Sequence, residues 1–348
     1  MLVNKPKLFE PANPNKSTSI INGLSSGILN WDDIKYKQIY EIYKKLLGKF
    51  WTPFEINMAK DAKDYKLLTE NEREAFRNII GLLSILDSVQ PKFLALVTDF
   101  LSDDSITACF IISAQQEVVH NHSYSYVLSS VEQKNMQDIA FQAARTNPLV
   151  YERNKIITDL YEEAFATRTF ESLLKALTAS IILEGINFYS GFAFFYNLAR
   201  NQKMMATATM IQYINGDELS HTHLMSQVIK LLILENPEPM KDFDYEGFTK
   251  NLFKEAVEHE IIWSKYALRN IEDITLDEMT DYIKYRANKC LSMINIEPIY
   301  EGLEKNPMTW INAYLNEGET KGLTKTDFFE QKSREYAKIS EDNGFDDL

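Results

Sequence analysis

Apolar positions recur along this chain at helical spacing, and strict apolar–polar alternation is scarce. In WDDIKYKQIYEIYKKLLGKF (31–50), Ile34, Ile39, Ile42, Tyr43, Leu46 and Leu47 mark a helix. FWTPFEI (50–56) reads as a turn carrying Trp51, with Pro53 opening a short helical piece. Thr69-Glu70-Asn71-Glu72 has the capping-box pattern, so a helix starts there. It runs through IIGLLSILDSVQP, leaving Asp87 inside an apolar run and Pro91 where it should kink the helix or disturb one turn. Ser102-Asp103-Asp104-Ser105 offers caps for a helix reaching roughly Ser130. Shorter pieces follow around 132–145 and 148–165, then an apolar helix around 170–199 and a helix around 201–235. Asn236-Pro-Glu-Pro breaks the pattern, and further helices are expected over 245–270 and 276–294.

This pattern predicts an all-α chain in three parts. An irregular arm (1–30) carries Pro6, Pro11 and Pro14; a helical domain spans 31–315; a polar tail (316–348) is too poor in aliphatic residues to fold alone. Phe345 and Leu348, set among Asp346 and Asp347, look like anchors for another protein's groove. TASIILEGINFYSGFAFFYNLA (178–199) is long enough to cross a membrane. Glu184, Asn187 and two glycines interrupt it, so it is expected to be the central helix of a bundle, apolar on all sides.

Composition sharpens the picture. A hydrophobic fraction of 45% in 348 residues supports a sizeable core, and only 12 Gly and 10 Pro fit a mostly helical chain. The net charge of −13 argues against nucleic acid and gives no reason to expect an anionic membrane surface. Cys109 and Cys290 form no C-x-x-C and fit a reducing compartment; MLVNKPKLFEPANP lacks the apolar core of a signal peptide, so a cytoplasmic protein is expected.

The candidate chemistry lies in two E-x-x-H pairs, Glu117/His120 and Glu218/His221. Residues three apart on a helix share a face, and Tyr124 joins Glu117 and His120 within about 60° of arc. His122 and His223 fall on other faces. One exposed Glu–His pair is commonplace, but two pairs in a chain with 5 histidines are less so. Asp87 and Glu184 decide the matter: each is a carboxylate in an apolar run with no Lys or Arg within a helical turn. Carboxylates from two helices plus an E-x-x-H from each of two others build a dinuclear metal site in a four-helix bundle. Four carboxylates and two imidazoles suit iron or manganese better than zinc or calcium.

Asp87 in SILDSVQP, Glu117-x-x-His120-x-x-x-Tyr124, Glu184-x-x-x-Phe188-Tyr189 and Asp217-Glu218-x-x-His221 together resemble the radical-generating small (β) subunit of class I ribonucleotide reductase. The similarity extends from FWTPFEI to about residue 295. It implies a ferritin-like helical bundle in which Asp87, Glu117 and His120 hold one metal and Glu184, Glu218 and His221 the other. Tyr124 would become a stable tyrosyl radical, in an apolar pocket of Phe188, Phe192, Ile211 and Ile214. Asp217, hydrogen-bonded to the second nitrogen of His120, and Trp51 would link the metals to the surface, with Tyr336 as the relay at the large subunit. The resemblance further implies a homodimer, a large (α) subunit bound through the C-terminal tail, and, for manganese forms, a flavoprotein activator or superoxide. No phosphate-binding glycine loop is visible, and two scattered cysteines cannot supply a reducing dithiol, so the chain reads as half of an enzyme. A ferritin-like di-metal oxidase or monooxygenase is the nearest alternative. A metal-storage protein is a further rival, and a plain scaffold would leave Asp87 and Glu184 unexplained.

Overall fold

The computed structural model describes residues 1–315; the tail from 316 to 348, with Tyr336, lies outside the described residues. Among the described residues the secondary structure is helical, apart from a single antiparallel bridge between Leu2 and Thr169. In chain order the helices are α1 (Lys37–Gly48), α2 (Asp61–Asp64), α3 (Glu70–Val97), α4 (Asp104–Val131), α5 (Lys134–Thr146) and α6 (Pro148–Thr167). They continue with α7 (Phe170–Ile182), α8 (Tyr189–Arg200), α9 (Met205–Glu235), α10 (Pro237–Met240), α11 (Tyr245–Ala267) and α12 (Leu276–Met293). α3 and α4 lie along each other, α9 packs on α4, α7 and α8, and α11 and α12 close the side around α7.

Local chemistry fixes the ends of the central helices. Thr69 Oγ1 accepts from Glu72 N at 3.2 Å while Glu72 Oε2 accepts from Thr69 N at 2.8 Å, the capping box expected for α3. Asp103 caps α4, accepting from Ile106 N at 2.9 Å. α3 then runs unbroken through Pro91, which has no N–H to donate to the Asp87 carbonyl, so one rung of the ladder is lost without ending the helix. The region 31–50 is shorter as a helix than its pattern suggests. Trp31–Asp33 forms a separate 3-10 turn, and Leu47 points outward, 50% exposed, one residue past the Ile39, Ile42 and Leu46 face.

The apolar helix expected around 170–199 is two helices joined by a π-turn, Leu183–Asn187, that contains Glu184. Its most apolar window is wholly buried in the protein interior, as a core helix requires. The N-terminal arm is irregular but tied down: Val3, Ile20 and Ile21 are buried, Ile20 N donates to Glu235 Oε2 at 2.9 Å, and Ser102 N donates to Ile20 O at 2.8 Å.

α9 begins at Met204 in a left-handed conformation (φ 54°) that brings no capping side chain. Asp61, fully buried on α2, does this from a distance, accepting from Ala206 N at 3.1 Å and from Thr207 N and Thr207 Oγ1 at 2.7 Å each. Asp61→Ala is expected to lower the unfolding free energy by ~2 kcal/mol, because buried donors at the α9 N-terminus lose their acceptor. Asp61→Asn, which keeps one acceptor oxygen, should lose less. Urea unfolding of the full chain measures both; an unchanged midpoint in Asp61→Ala would show that α9 does not depend on this cap.

Candidate metal centre

α3 brings Asp87, α4 brings Glu117 and His120, the π-turn brings Glu184, and α9 brings Glu218 and His221. All six side chains are buried, none more than 1% exposed. Their ligand atoms form two overlapping groups: Asp87, Glu117 and His120; and Glu117, Glu184, Glu218 and His221. Glu117 belongs to both groups, a sharing not legible in the spacing.

The imidazoles face inward by Nδ1. His120 Nδ1 lies 3.0 Å from Glu218 Oε1 and 3.4 Å from Glu117 Oε2; His221 Nδ1 lies 2.9 Å from Glu117 Oε1, 3.5 Å from Glu218 Oε2 and 3.6 Å from Glu184 Oε2. None of these approaches is aligned as a hydrogen bond. Both Nδ1 atoms, both oxygens of Asp87, Glu117 and Glu218, and Glu184 Oε2 are buried without a hydrogen-bond partner. Buried polar atoms are normally paired, so this many orphans converging on one volume point to cations as the missing partners. The donor set is rich in oxygen, with two imidazoles, and fits two divalent ions of iron or manganese type.

The outer faces of both imidazoles are held. His120 Nε2 lies 3.1 Å from Asp217 Oδ2, and Trp51 Nε1 donates to that same oxygen at 2.8 Å, so Trp51, Asp217 and His120 form one chain. Trp51 is 7% exposed, and its ring stacks on His120 with centroids 6.1 Å apart. The Tyr124 hydroxyl, one turn beyond His120, is buried and unpaired. Phe188, Phe192, Ile211 and Ile214 are buried in the main hydrophobic core, to which Tyr124 also belongs, with Phe188 and Phe192 stacked at 5.7 Å. His122 and His223 are exposed and lie off the site, as their helical phase requires.

The family described as "Ribonucleotide reductase, small chain" matches residues 28–307. The chain belongs to that family. It is 46% identical over 349 residues to the ribonucleoside-diphosphate reductase subunit beta of Halalkalibacterium halodurans, covering 99% of both chains. With the corresponding subunit of Treponema pallidum the identity is 37% over 327 residues, covering 92% of this chain and 91% of the other. The ribonucleotide reductase R2 subunit from Clostridium botulinum superposes with a TM-score of 0.86 at 36% identity, over 90% of this chain and 99% of that one. The chain is therefore a small subunit of a class I ribonucleotide reductase, an oxidoreductase component with a ferritin-like helical fold that works with a large subunit.

In this small subunit, two glutamines that motif reading missed complete the centre. Gln116 Oε1 lies 2.9 Å from His221 Nε2, a neutral counterpart of Asp217 on the other imidazole. Gln90 Nε2 donates to Glu184 Oε1 and, at 2.7 Å, to Ser180 Oγ, while Tyr161 Oη donates to Gln90 Oε1 at 2.7 Å. Each glutamine had a signal: Gln90 is a polar residue three positions from Asp87 in the same apolar helix, and Gln116 precedes Glu117.

The charges strain against burial. Burial, then the neighbouring Glu117 and Glu218, pushes Asp87 well above the usual carboxylate range. Glu184 is likewise pushed up by burial, with Glu117 and Glu218 adding to it against His221. Burial alone would raise Glu117, but His120 and His221 bring it down to about 2. Burial disfavours the charged imidazoles, yet Asp217 with Glu117 and Glu218 holds His120 well above its ordinary value, and Glu117 with Glu218 does the same for His221. Asp87, Glu184 and both imidazoles therefore hold a proton more tightly than free side chains do.

Metal ions accept only the deprotonated ligands, so loading must release protons. Affinity for Mn(II) should therefore fall on acidification, roughly tenfold per unit of pH for each proton released. Titration of the metal-free chain with Mn(II) at several pH values measures this. An affinity independent of pH would show that these side chains are not the ligands.

Proposed function

We propose that the centre binds two ions of iron or manganese and that Tyr124 stores the oxidising equivalent as a tyrosyl radical. Asp87, Glu117 and His120 hold one ion; Glu184, Glu218 and His221 hold the other, with Glu117 shared between them. The observation that carries this reading is the two overlapping buried ligand groups, set beside a tyrosine whose hydroxyl has no hydrogen-bond partner. When bound, the ion pair supplies the redox chemistry that activates dioxygen or a reduced oxygen species.

The chain's own residues do the rest. Burial, then the charges of Asp87, Glu218 and Glu117, holds the Tyr124 phenol well above its ordinary pKa, so it remains protonated at rest. Removing an electron from a phenol acidifies it strongly, and Asp87, the carboxylate that acts most strongly on Tyr124, would hold the ion through one oxygen and leave the other to take the proton. Phe188, Phe192, Ile211 and Ile214 exclude water and reductants. Asp217 fixes His120 with Nδ1 inward and couples it to Trp51, which leads toward the surface. Tyr336 in the tail is the relay at the junction with the large subunit, where the tail docks and ribonucleotides are reduced. The subunit works as a homodimer in the cytoplasm, and a manganese form would draw on a flavoprotein activator.

Tyr124→Phe is expected to abolish the tyrosyl signal in electron paramagnetic resonance and to reduce activity with the large subunit to background, leaving metal content unchanged. Full activity in Tyr124→Phe would rule out Tyr124 as the radical site. Deletion of the residues after Glu330 should eliminate activity with the large subunit while metal content holds; retained activity would count against tail docking.

A further inference from the structure

Leu183–Asn187 is, among the described residues, the only π-turn, and it carries Glu184. A π-turn is rare and occurs mostly as a single widened turn within an α-helix. Two buried guanidinium groups reach its backbone. Arg153 on α6, 2% exposed, donates from Nη2 to the Asn187 carbonyl; Arg286 on α12, 3% exposed, donates from Nε to the Gly185 carbonyl at 3.2 Å. The Arg286 guanidinium also stacks on Tyr189, 3.6 Å from its ring centre. α12 sits so tightly here that a Cβ on Gly185 would collide with Cys290 Sγ.

Arg153 is matched by Glu260 on α11. Its Nε donates to Glu260 Oε2 at 2.5 Å, Ser190 Oγ donates to the other oxygen, and Nη1 donates to Asn154 Oδ1 at 3.0 Å. A buried ion pair of this kind contributes little net stability, because desolvation offsets the attraction, and apolar residues of similar volume often serve the fold as well. What the pair does supply is direction. The planar fork of arginine addresses a carboxylate and a carbonyl at once in a fixed geometry, where a lysine ammonium is a compact charge whose donors rotate freely.

We infer that Arg153 is a positioning residue for Glu184: by bridging Glu260 and the Asn187 carbonyl, it holds the π-turn that presents Glu184 to the second ion. This rests on the two-ion reading above. Glu184 takes no ion pair with Arg153; the arginine acts through the backbone three residues on, while Gln90 steadies the carboxylate from the opposite helix.

Mn(II) titration of the metal-free full chain, followed by electron paramagnetic resonance, tests it. Wild type should bind two ions with an exchange-coupled signal, and Glu184→Gln marks what loss of the second ion looks like. Arg153→Lys keeps the charge opposite Glu260 but not the fork. It should bind one ion with unchanged affinity and the second roughly 10- to 100-fold more weakly, with the coupled signal diminished. The double variant Arg153→Met with Glu260→Leu, which buries no charge, should show the same selective loss with an undiminished thermal midpoint. Two coupled ions at wild-type affinity in a folded variant would overturn the inference. So would equal weakening of both ions, or failure of both variants to fold, since either makes the pair merely structural. Fewer than two ions in wild type would overturn the two-ion reading itself.

Discussion

Four carboxylates and two imidazoles are buried together, and the cost of burying so many carboxylates side by side is the constraint on which the rest of the structure rests. Transferring one unpaired carboxylate into such an interior costs on the order of 20 kcal/mol in an idealised continuum and several in a real protein. Neither Asp87 oxygen has a hydrogen-bond partner, and Glu184 has only neutral donors, Gln90 and Ser180, besides the His221 ring. In this arrangement the protein itself leaves most of those acceptors without a donor. The fold is built to be completed by cations.

Completion requires the ligands to be aimed before an ion arrives, and the supports for that are remote in sequence. Asp61 caps α9 across 146 residues at Thr207, and Asp217 and Gln116 turn the two imidazoles so that both present Nδ1 inward. The two outer partners differ in charge. Asp217 places a carboxylate behind His120, while Gln116 places an amide behind His221. The difference coincides with the side on which Trp51 and Tyr124 lie.

The six ligands were legible because a carboxylate in an apolar run is an anomaly and because E-x-x-H repeats on one helical face. Helix order was legible for the same reason, through periodicity and caps such as Thr69. Other features leave no periodic trace. The π-turn around Glu184 depends on contacts with α6 and α12, so the apolar run read as one continuous helix. Pro91 looked disruptive, yet its cost is a single missing rung that tertiary packing absorbs. The Trp51–Asp217 bond spans 166 residues and leaves no trace in local spacing. The sharing of Glu117 between two groups is a property of three-dimensional placement, not spacing.

The central claim is that this buried cluster holds two transition-metal ions. Anomalous diffraction from crystals grown with manganese or iron addresses it most directly. Two peaks are expected, one bounded by Asp87, Glu117 and His120 and the other by Glu117, Glu184, Glu218 and His221. A cluster without anomalous density in crystals grown with ample metal, or a single peak coordinated elsewhere, would contradict the account.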